Sequence, residues 1–217
     1  MNNVPFTLSQ VRPIRDAMTV SRPSGLGYGV PVTWFSLGAG TSITPEYYDC
    51  TTLYLGGEGN GKFLLGVDGQ EVSVKPGEVL YVPPKTLCGT KTDSGMIYTE
   101  IILKKENFTM NSIIKAGQPT ELKNLISYEE GSIANLDIAH ADNMKFVLMA
   151  FDEGTGLTPH LAPGNAILTA LEGKAIIGYE GKDYELNAGE SFRFDKNGLH
   201  SVTAQGKFKM SLLLVIE

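Results

Sequence analysis

The sequence has little histidine and little cysteine, and it lacks an excess of basic residues. Its 217 residues include three histidines and two cysteines, and 18 Lys and Arg stand against 24 Asp and Glu, which gives a formal net charge of -6. Two cysteines do not make a disulfide framework, and the lack of a basic stripe disfavours a nucleic-acid-binding protein. Imidazole chemistry can use only His140, His160 and His200.

Long apolar runs are also missing. No run reaches the ~18 residues that a transmembrane helix needs, and the first residues lack the charged and apolar segments of a signal peptide. We therefore expect a cytoplasmic protein with no membrane partner. Charged residues make up 19% of the chain and hydrophobic residues 42%, a composition typical of a globular protein and not of a disordered one.

Glycine is abundant, with 25 residues, and many of the glycines recur in register. The segment GTSITPE at residues 40–46 returns as GTGLTPH at residues 154–160. At later matches the spacing is two residues shorter, as in the pairs Gly61 and Gly173, Gly69 and Gly181, and Gly77 and Gly189. We interpret the chain as two copies of one domain, residues 1–106 and 107–217, with the length difference between about residues 47 and 60.

Both copies have the pattern of short β-strands separated by turns. Residues 62–67 form an apolar run that ends at the turn Asp68-Gly69, and residues 71–74 alternate before the turn at residues 75–77. Apolar or alternating runs bounded by such turn residues indicate strands and hairpins. Many short strands with frequent turns predict an all-β fold of sandwiches or barrels.

The glycine and histidine spacing of the second copy resembles the two motifs of the cupin superfamily. Gly154 and His160 enclose five residues, Gly173 closes the hairpin, and Gly189 begins a segment that reaches His200. The same frame fits the first copy, so the resemblance covers about residues 32–103 and 146–216. It implies two tandem antiparallel jelly-roll β-barrels, a bicupin, whose second half is similar to small bacterial single-domain cupins of unassigned function.

The resemblance implies a metal site built from histidines and a glutamate, but this chain fills the ligand positions only in part. In the second copy they are occupied by His160, Ala162, Ala166 and His200, and in the first copy by Glu46, Tyr48, Thr52 and Cys88. We take His160 and His200 as ligand-binding residues and as candidate ligands for one divalent transition metal, Zn, Ni, Fe or Mn, in the C-terminal barrel. Water or another side chain would have to complete the metal's shell.

The first copy has no histidine at these positions, so its barrel is interpreted as degenerate, with Glu46 and Cys88 as further ligand-binding candidates. It also carries an aromatic cluster, Trp34, Phe35, Tyr47, Tyr48 and Tyr54. Core packing and a platform for sugar stacking are both open for this cluster. His140 is predicted to lie in a solvated turn, outside any site.

The sequence leaves three functions open. The first is binding of a small polar molecule in the C-terminal barrel, with the N-terminal barrel as its structural partner. The second is a metal-dependent enzyme, an isomerase, dioxygenase or lyase, that uses His160 and His200. The third is a structural or partner-binding bicupin without a ligand. A homo-oligomer is compatible with all three, and the sequence assigns no catalytic residue, because one fold supports many activities.

Overall fold

The computed structural model describes residues 3–27, 29–104 and 108–216. These residues divide into two compact units. We call the first the N-terminal barrel, which holds the described residues of 8–108 and 112–121, and the second the C-terminal barrel, which holds 3–7, 109–111 and 122–216. In the described part of the chain, no helix has the length and apolar character needed to cross a membrane.

The N-terminal barrel begins with a single helical turn, α1 (Leu8–Val11), and is otherwise built from strands. They are β1 (Thr19–Pro23), β2 (Val32–Leu37), β3 (Ser42–Glu46), β4 (Thr51–Gly59), β5 (Lys62–Leu65), β6 (Gln70–Ser73), β7 (Glu78–Val82), β8 (Cys88–Lys91), β9 (Met96–Leu103) and, after β10 (Phe108–Met110) of the other unit's sheet, β11 (Thr120–Glu121). One sheet has the order β1-β2-β9-β4-β7-β11 and the second the order β3-β8-β5-β6. Side chains of both sheets share one apolar core.

The C-terminal barrel contains a 3-10 helix at Leu122–Asn124 and nine further strands. They are β12 (Ile133–Ala141), β13 (Met144–Phe151), β14 (Gly156–Leu161), β15 (Asn165–Glu172), β16 (Lys174–Tyr179), β17 (Lys182–Asn187), β18 (Ser191–Phe194), β19 (Leu199–Ala204) and β20 (Phe208–Val215). The sheets have the orders β10-β12-β13-β20-β15-β18 and β14-β19-β16-β17. His140 therefore lies in a strand, β12, and not in a turn, although it is exposed as predicted.

The two barrels repeat one strand order. The order β2-β9-β4-β7 of the N-terminal barrel corresponds to β13-β20-β15-β18 of the C-terminal barrel, and β3-β8-β5-β6 corresponds to β14-β19-β16-β17. Neighbouring strands pair antiparallel in both. The predicted all-β fold of two tandem antiparallel barrels, related by an internal duplication, is confirmed.

The turns of the two barrels also correspond in backbone conformation. Positive φ angles occur at the matched pairs Gly40 and Gly154, Gly69 and Gly181, and Gly77 and Gly189. They also occur at Lys85 and Asn197, with φ of 61° and 65°. These two residues occupy the place where the cupin motif has a glycine, so the left-handed conformation is kept although the glycine is not.

The structure changes the assignment of one pair of matched glycines. Gly59, and not Gly61, is the counterpart of Gly173, because the two have φ of +74° and +75°. A Cβ would meet a backbone carbonyl at both positions, that of Gly95 at Gly59 and that of Lys207 at Gly173. β4 and β15 both carry a register shift just before this glycine.

The correspondence continues through β5, because the N–H of Gly66 bonds to the carbonyl of Leu87 as the N–H of Glu180 bonds to that of Leu199. The two extra residues of the first copy therefore lie in the β5–β6 turn, between Gly66 and Gly69, and not between about residues 47 and 60 as the sequence predicts.

Two chain segments pair within a different unit from the one that a boundary near residue 106 predicts. The residues around this boundary, Lys105 to Asn107, lie outside the described part of the chain. In the C-terminal barrel, Phe6 forms an antiparallel bridge with Ser191. In the N-terminal barrel, β11 pairs with β7. Each unit is therefore assembled from separate pieces of the sequence.

Two glycines of the C-terminal barrel provide a matched test of the turn geometry. A Cβ at Gly173 would lie 2.1 Å from the carbonyl oxygen of Lys207, whereas a Cβ at Gly181 would meet nothing within 4 Å, and both have a positive φ. We expect Gly181→Ala to lower the free energy of unfolding by about 1 kcal/mol through backbone strain alone. Gly173→Ala should lose at least about 2 kcal/mol more, because the backbone must move. Urea unfolding of both variants measures the difference, and equal losses would contradict the close approach of Gly173 to the Lys207 carbonyl.

Candidate functional site

Antiparallel pairing brings the first and last motif positions together in both barrels. Glu46 on β3 lies directly opposite Cys88 on β8. His160 on β14 lies directly opposite His200 on β19. In each case a register shift precedes the first residue of the pair. Side chains of directly opposite residues share one face of the sheet, so the predicted residues do form two pairs, one in each barrel.

The two histidines form a close ring pair with one nitrogen of each ring already bound. Their ring centroids are 4.2 Å apart. His160 Nδ1 lies 2.8 Å from the carbonyl oxygen of Thr158, and His200 Nδ1 lies 3.1 Å from that of Gly198. A carbonyl oxygen only accepts, so the neutral rings carry their proton on Nδ1 and leave Nε2 as an acceptor. Both Nε2 atoms are therefore available to a donor or a metal ion.

His200 is the more enclosed of the two. It is buried, whereas His160 is exposed, and the ring of Phe194 stacks on it with centroids 4.2 Å apart. Burial lowers the pKa of His200, the carbonyl of Gly198 opposes this, and the charge of His160 adds to the lowering. His200 is therefore a neutral acceptor near pH 7.

The other two motif positions of the C-terminal barrel offer no ligand to a metal ion. Ala162 and Ala166 are buried in the apolar core, together with Phe192 and Phe194. Among the described residues, no group of three or more His, Cys, Asp or Glu side chains is placed to hold a metal ion. Two imidazoles fall short of the three protein ligands of a catalytic zinc site.

The N-terminal barrel encloses a polar cavity. It has a volume of about 210 Å³ and is lined on one side by Glu46, Tyr48 and Cys88 and on the other by Tyr54 and Glu100. The cavity lies at the positions that correspond to the histidine pair of the other barrel. At liquid density this space would hold about seven water molecules, at ~30 Å³ each. It is therefore large enough for a small organic molecule.

Aromatic rings form much of the cavity wall. Phe35 stacks on Tyr98 with centroids 4.9 Å apart, and Tyr54 meets Tyr98 edge-on at 5.8 Å. Of the predicted aromatic cluster, Trp34 is buried in the core and Tyr47 is 61% exposed. Phe35, Tyr48 and Tyr54 line the cavity, so part of the cluster packs the core and part faces the cavity.

Glu100 is the acid inside the cavity. It is 6% exposed, on β9 directly opposite Tyr54 of β4. Burial raises its pKa to about 7, a hydrogen bond with the Tyr54 hydroxyl opposes the rise, and the charge of Glu46 adds to it. The Glu100 carboxyl group therefore changes its charge near neutral pH, which is unusual for a glutamate.

The thiol of Cys88 is not prepared for nucleophilic attack. Burial raises its pKa to about 11, a hydrogen bond with Tyr54 opposes this, and the charge of Glu100 raises it further. A nucleophilic cysteine needs a thiolate, and here the protonated thiol dominates at neutral pH. Cys88 can line a cavity and offer a weak hydrogen bond, but it does not supply covalent chemistry.

One buried hydroxyl group of the cavity wall lacks a hydrogen bond of standard geometry. Thr90 Oγ1 is buried without a hydrogen bond of standard geometry, although it is close enough to the Tyr98 hydroxyl to act on the pKa of that phenol. Buried hydroxyl groups are normally satisfied by protein or by water. A ligand in the cavity could supply the missing partner.

Sequence reasoning found Glu46 and Cys88 but missed Glu100, Thr90 and Tyr98. The signal for Glu100 was present, because it is the one charged residue in the apolar run of β9, Met96–Leu103. Glutamate is almost never buried without a reason. Tyr98 lies two residues before it and therefore on the same face of the strand. The volume between the strands is not visible in the sequence.

The C-terminal barrel is apolar where the N-terminal barrel is polar. Strand register places Leu168 opposite Leu212, at the positions of Tyr54 and Glu100. It also places Ala170 opposite Met210, where the other barrel has Gly56 opposite Tyr98. The barrel with the two histidines therefore has apolar residues at these interior positions, and the barrel without histidines at the motif positions has polar ones.

Comparison with known proteins agrees with the two-barrel architecture. Residues 147–216 match the family described as the cupin domain. The chain is similar to a cupin 2 conserved barrel domain protein from Leptotrichia buccalis, with 24% identity over 97% of this chain and 95% of that chain and a TM-score of 0.83. It is also similar to salicylate 1,2-dioxygenase from Pseudoaminobacter salicylatoxidans, in a structure of its adducts with gentisate, with 13% identity over 98% and 81% of the two chains and a TM-score of 0.68.

These similarities confirm the class of protein that the fold defines, an all-β chain of two tandem barrels. Residues 147–216 match the cupin domain family, and the likeness of the whole chain to solved two-barrel structures shows its fold. No protein with a curated description matches it significantly. Because the solved structures share less than a quarter of their residues with this chain, they carry the fold and not an activity.

The burial of Glu100 predicts a pH-dependent stability. Its folded pKa of about 7 lies above the ordinary value of 4.5, so the folded state binds the proton more tightly and stability falls as pH rises from about 4.5 to 7. Glu100→Gln removes this loss and should raise the free energy of unfolding by on the order of 3 kcal/mol at pH 8 but little at pH 4.5. Urea unfolding across this range measures it. A gain independent of pH would contradict the assignment.

Proposed function

We propose that this bicupin binds a small polar molecule in the cavity of the N-terminal barrel. The observation that carries the proposal is the cavity of about 210 Å³ bounded by Glu46, Cys88 and Glu100. The Thr90 hydroxyl in its wall, which is buried without a hydrogen bond of standard geometry, supports it. The sequence instead favoured the C-terminal barrel as the ligand pocket and the N-terminal barrel as its support.

The chemistry of the cavity favours binding over covalent or metal catalysis. The Cys88 thiol is protonated at neutral pH because burial raises its pKa to about 11. The described residues offer no cluster of three acidic, thiol or imidazole groups for a metal. What remains is a set of hydrogen-bonding and aromatic groups around a small space, which is the composition of a ligand pocket.

Equivalent substitutions in the two barrels decide where the ligand binds. Cys88 and His200 hold the same place in their barrels, opposite Glu46 and His160. After a thermal-shift screen of small polar molecules, we expect Cys88→Leu to abolish binding because the added side chain fills the cavity. His200→Leu should leave binding unchanged. Calorimetric titration measures both, with unfolding curves to show that each variant is folded.

The reverse outcome has an equally definite meaning. If His200→Leu abolishes binding and Cys88→Leu does not, the ligand lies at the histidine pair, as the sequence suggested, and the proposal for the N-terminal cavity is wrong. If neither substitution affects binding, the ligand uses neither motif position. A screen without any binder would favour the structural or partner-binding alternative.

A second candidate, metal binding by His160 and His200, is favoured by one observation. Both Nε2 atoms are free because both Nδ1 atoms are held by backbone carbonyls, as in many histidine ligands. With only two protein donors, we expect elemental analysis of protein purified without an affinity metal to give far less than one Zn, Ni, Fe or Mn ion per chain. His160→Ala should not change the result. A stoichiometric metal that His160→Ala removes would establish this second candidate.

A further inference from the structure

The N-terminal cavity carries acidic groups and no basic ones. Glu46 is exposed and Glu100 is buried, and both line the same space. None of the described residues that line it is Lys, Arg or His. Glu46 raises the pKa of Glu100 through its charge, and no cation contributes to that balance. A negatively charged ligand would add to this repulsion, whereas a positively charged one would relieve it.

The cavity walls are also suited to a cation. The aromatic face of a tyrosine or phenylalanine attracts a positive charge held within about 6 Å of the ring centroid. Phe35 and Tyr98 stack with 4.9 Å between centroids, and Tyr54 meets Tyr98 at 5.8 Å. Tyr48 completes this side of the lining. Aromatic rings and carboxylates around one small space form the arrangement that recognises ammonium groups.

The buried Thr90 hydroxyl adds an independent indication of a ligand. Its Oγ1 lines the cavity without a hydrogen bond of standard geometry, and the residue is 3% exposed. A ligand with a hydroxyl or amide group besides its cationic centre could satisfy this atom. The cavity volume of about 210 Å³ limits such a ligand to a small metabolite.

We infer that the ligand of the N-terminal cavity is a small organic cation with a quaternary or protonated amino group, an inference that rests on the proposed function. Glu100 supplies the negative charge inside the barrel, and Glu46 supplies the second at its open side. The rings of Phe35, Tyr54 and Tyr98 surround the cationic group. The Thr90 hydroxyl takes the ligand's neutral polar group.

The inferred ligand couples binding to pH through Glu100. The titratable groups that face Glu100 are Glu46 on β3, Tyr54 on β4 and Cys88 on β8, with Tyr48 after β3 and Tyr98 on the same strand. Burial is the largest cause that raises the pKa of four of these groups, Tyr48, Tyr54, Cys88 and Tyr98. They therefore stay neutral near pH 7. Glu100, with a pKa of about 7, therefore titrates alone among the buried groups.

Three molecules of the same shape and different charge test the inference. Choline is the cation, 3,3-dimethylbutan-1-ol is its neutral carbon analogue, and 3,3-dimethylbutanoate is an anion. In calorimetric titrations at pH 8 we expect choline to bind at least about ten-fold more tightly than the neutral alcohol. The carboxylate should bind most weakly. Choline binding should weaken by about ten-fold between pH 8 and pH 6 as Glu100 takes up a proton.

A matched pair of substitutions isolates the role of the buried carboxylate. Glu100→Gln keeps the size of the side chain and should abolish both the preference for choline and its pH dependence. Glu185→Gln removes the same charge from an exposed residue of β17 in the other barrel, where it pairs with Lys174. This control should leave choline binding and its pH dependence unchanged, and unfolding curves show whether both variants are folded.

The outcomes separate this inference from the proposed function. Equal or tighter binding of the neutral alcohol would overturn the cation but retain the cavity as a binding site. If none of the three molecules binds, the cation inference is overturned for this shape and size. Whether the cavity binds any ligand is then decided by the thermal-shift screen and the Cys88→Leu substitution.

Discussion

Antiparallel pairing of β3 with β8 and of β14 with β19 determines the chemistry that each barrel can hold. It places Glu46 against Cys88 in one barrel and His160 against His200 in the other, on the same face of the sheet. The neighbouring strands then decide what surrounds each pair. Polar groups of β4 and β9 line a cavity in the first barrel, and buried apolar side chains occupy the corresponding strand positions in the second.

The two copies of the domain therefore differ both in their motif residues and in the polarity of their interiors. The C-terminal barrel keeps two histidines but surrounds them with alanines and phenylalanines, which supply no further donor. The N-terminal barrel has no histidine at the motif positions but has a buried glutamate, Glu100, among tyrosines. Burial of a carboxylate costs free energy, which raises the pKa of Glu100 despite its hydrogen bond with Tyr54, and a cationic ligand would recover part of that cost.

The sequence was sufficient to predict the two-barrel fold but not the cavity of the N-terminal barrel. Glycines at turns with a positive φ recur between the copies, because few other residues adopt that backbone conformation, and they revealed the duplication and the two-barrel fold. The motif spacing also identified Glu46 and Cys88 as a pair. Glu100 lies on β9, far along the chain, and its position beside them depends on strand order and on side-chain volumes. Neither quantity can be obtained from local pattern alone.

The exchange of short segments between the two units has a consequence for how such a protein can evolve. Phe6 pairs with Ser191 in the C-terminal barrel, and β11 pairs with β7 in the N-terminal barrel. Neither barrel is thus encoded by one uninterrupted stretch of the gene. Recombination that released either half would deliver it without a piece of its sheet. A single barrel could therefore be separated from this chain only with the loss of one of its own strands or bridges.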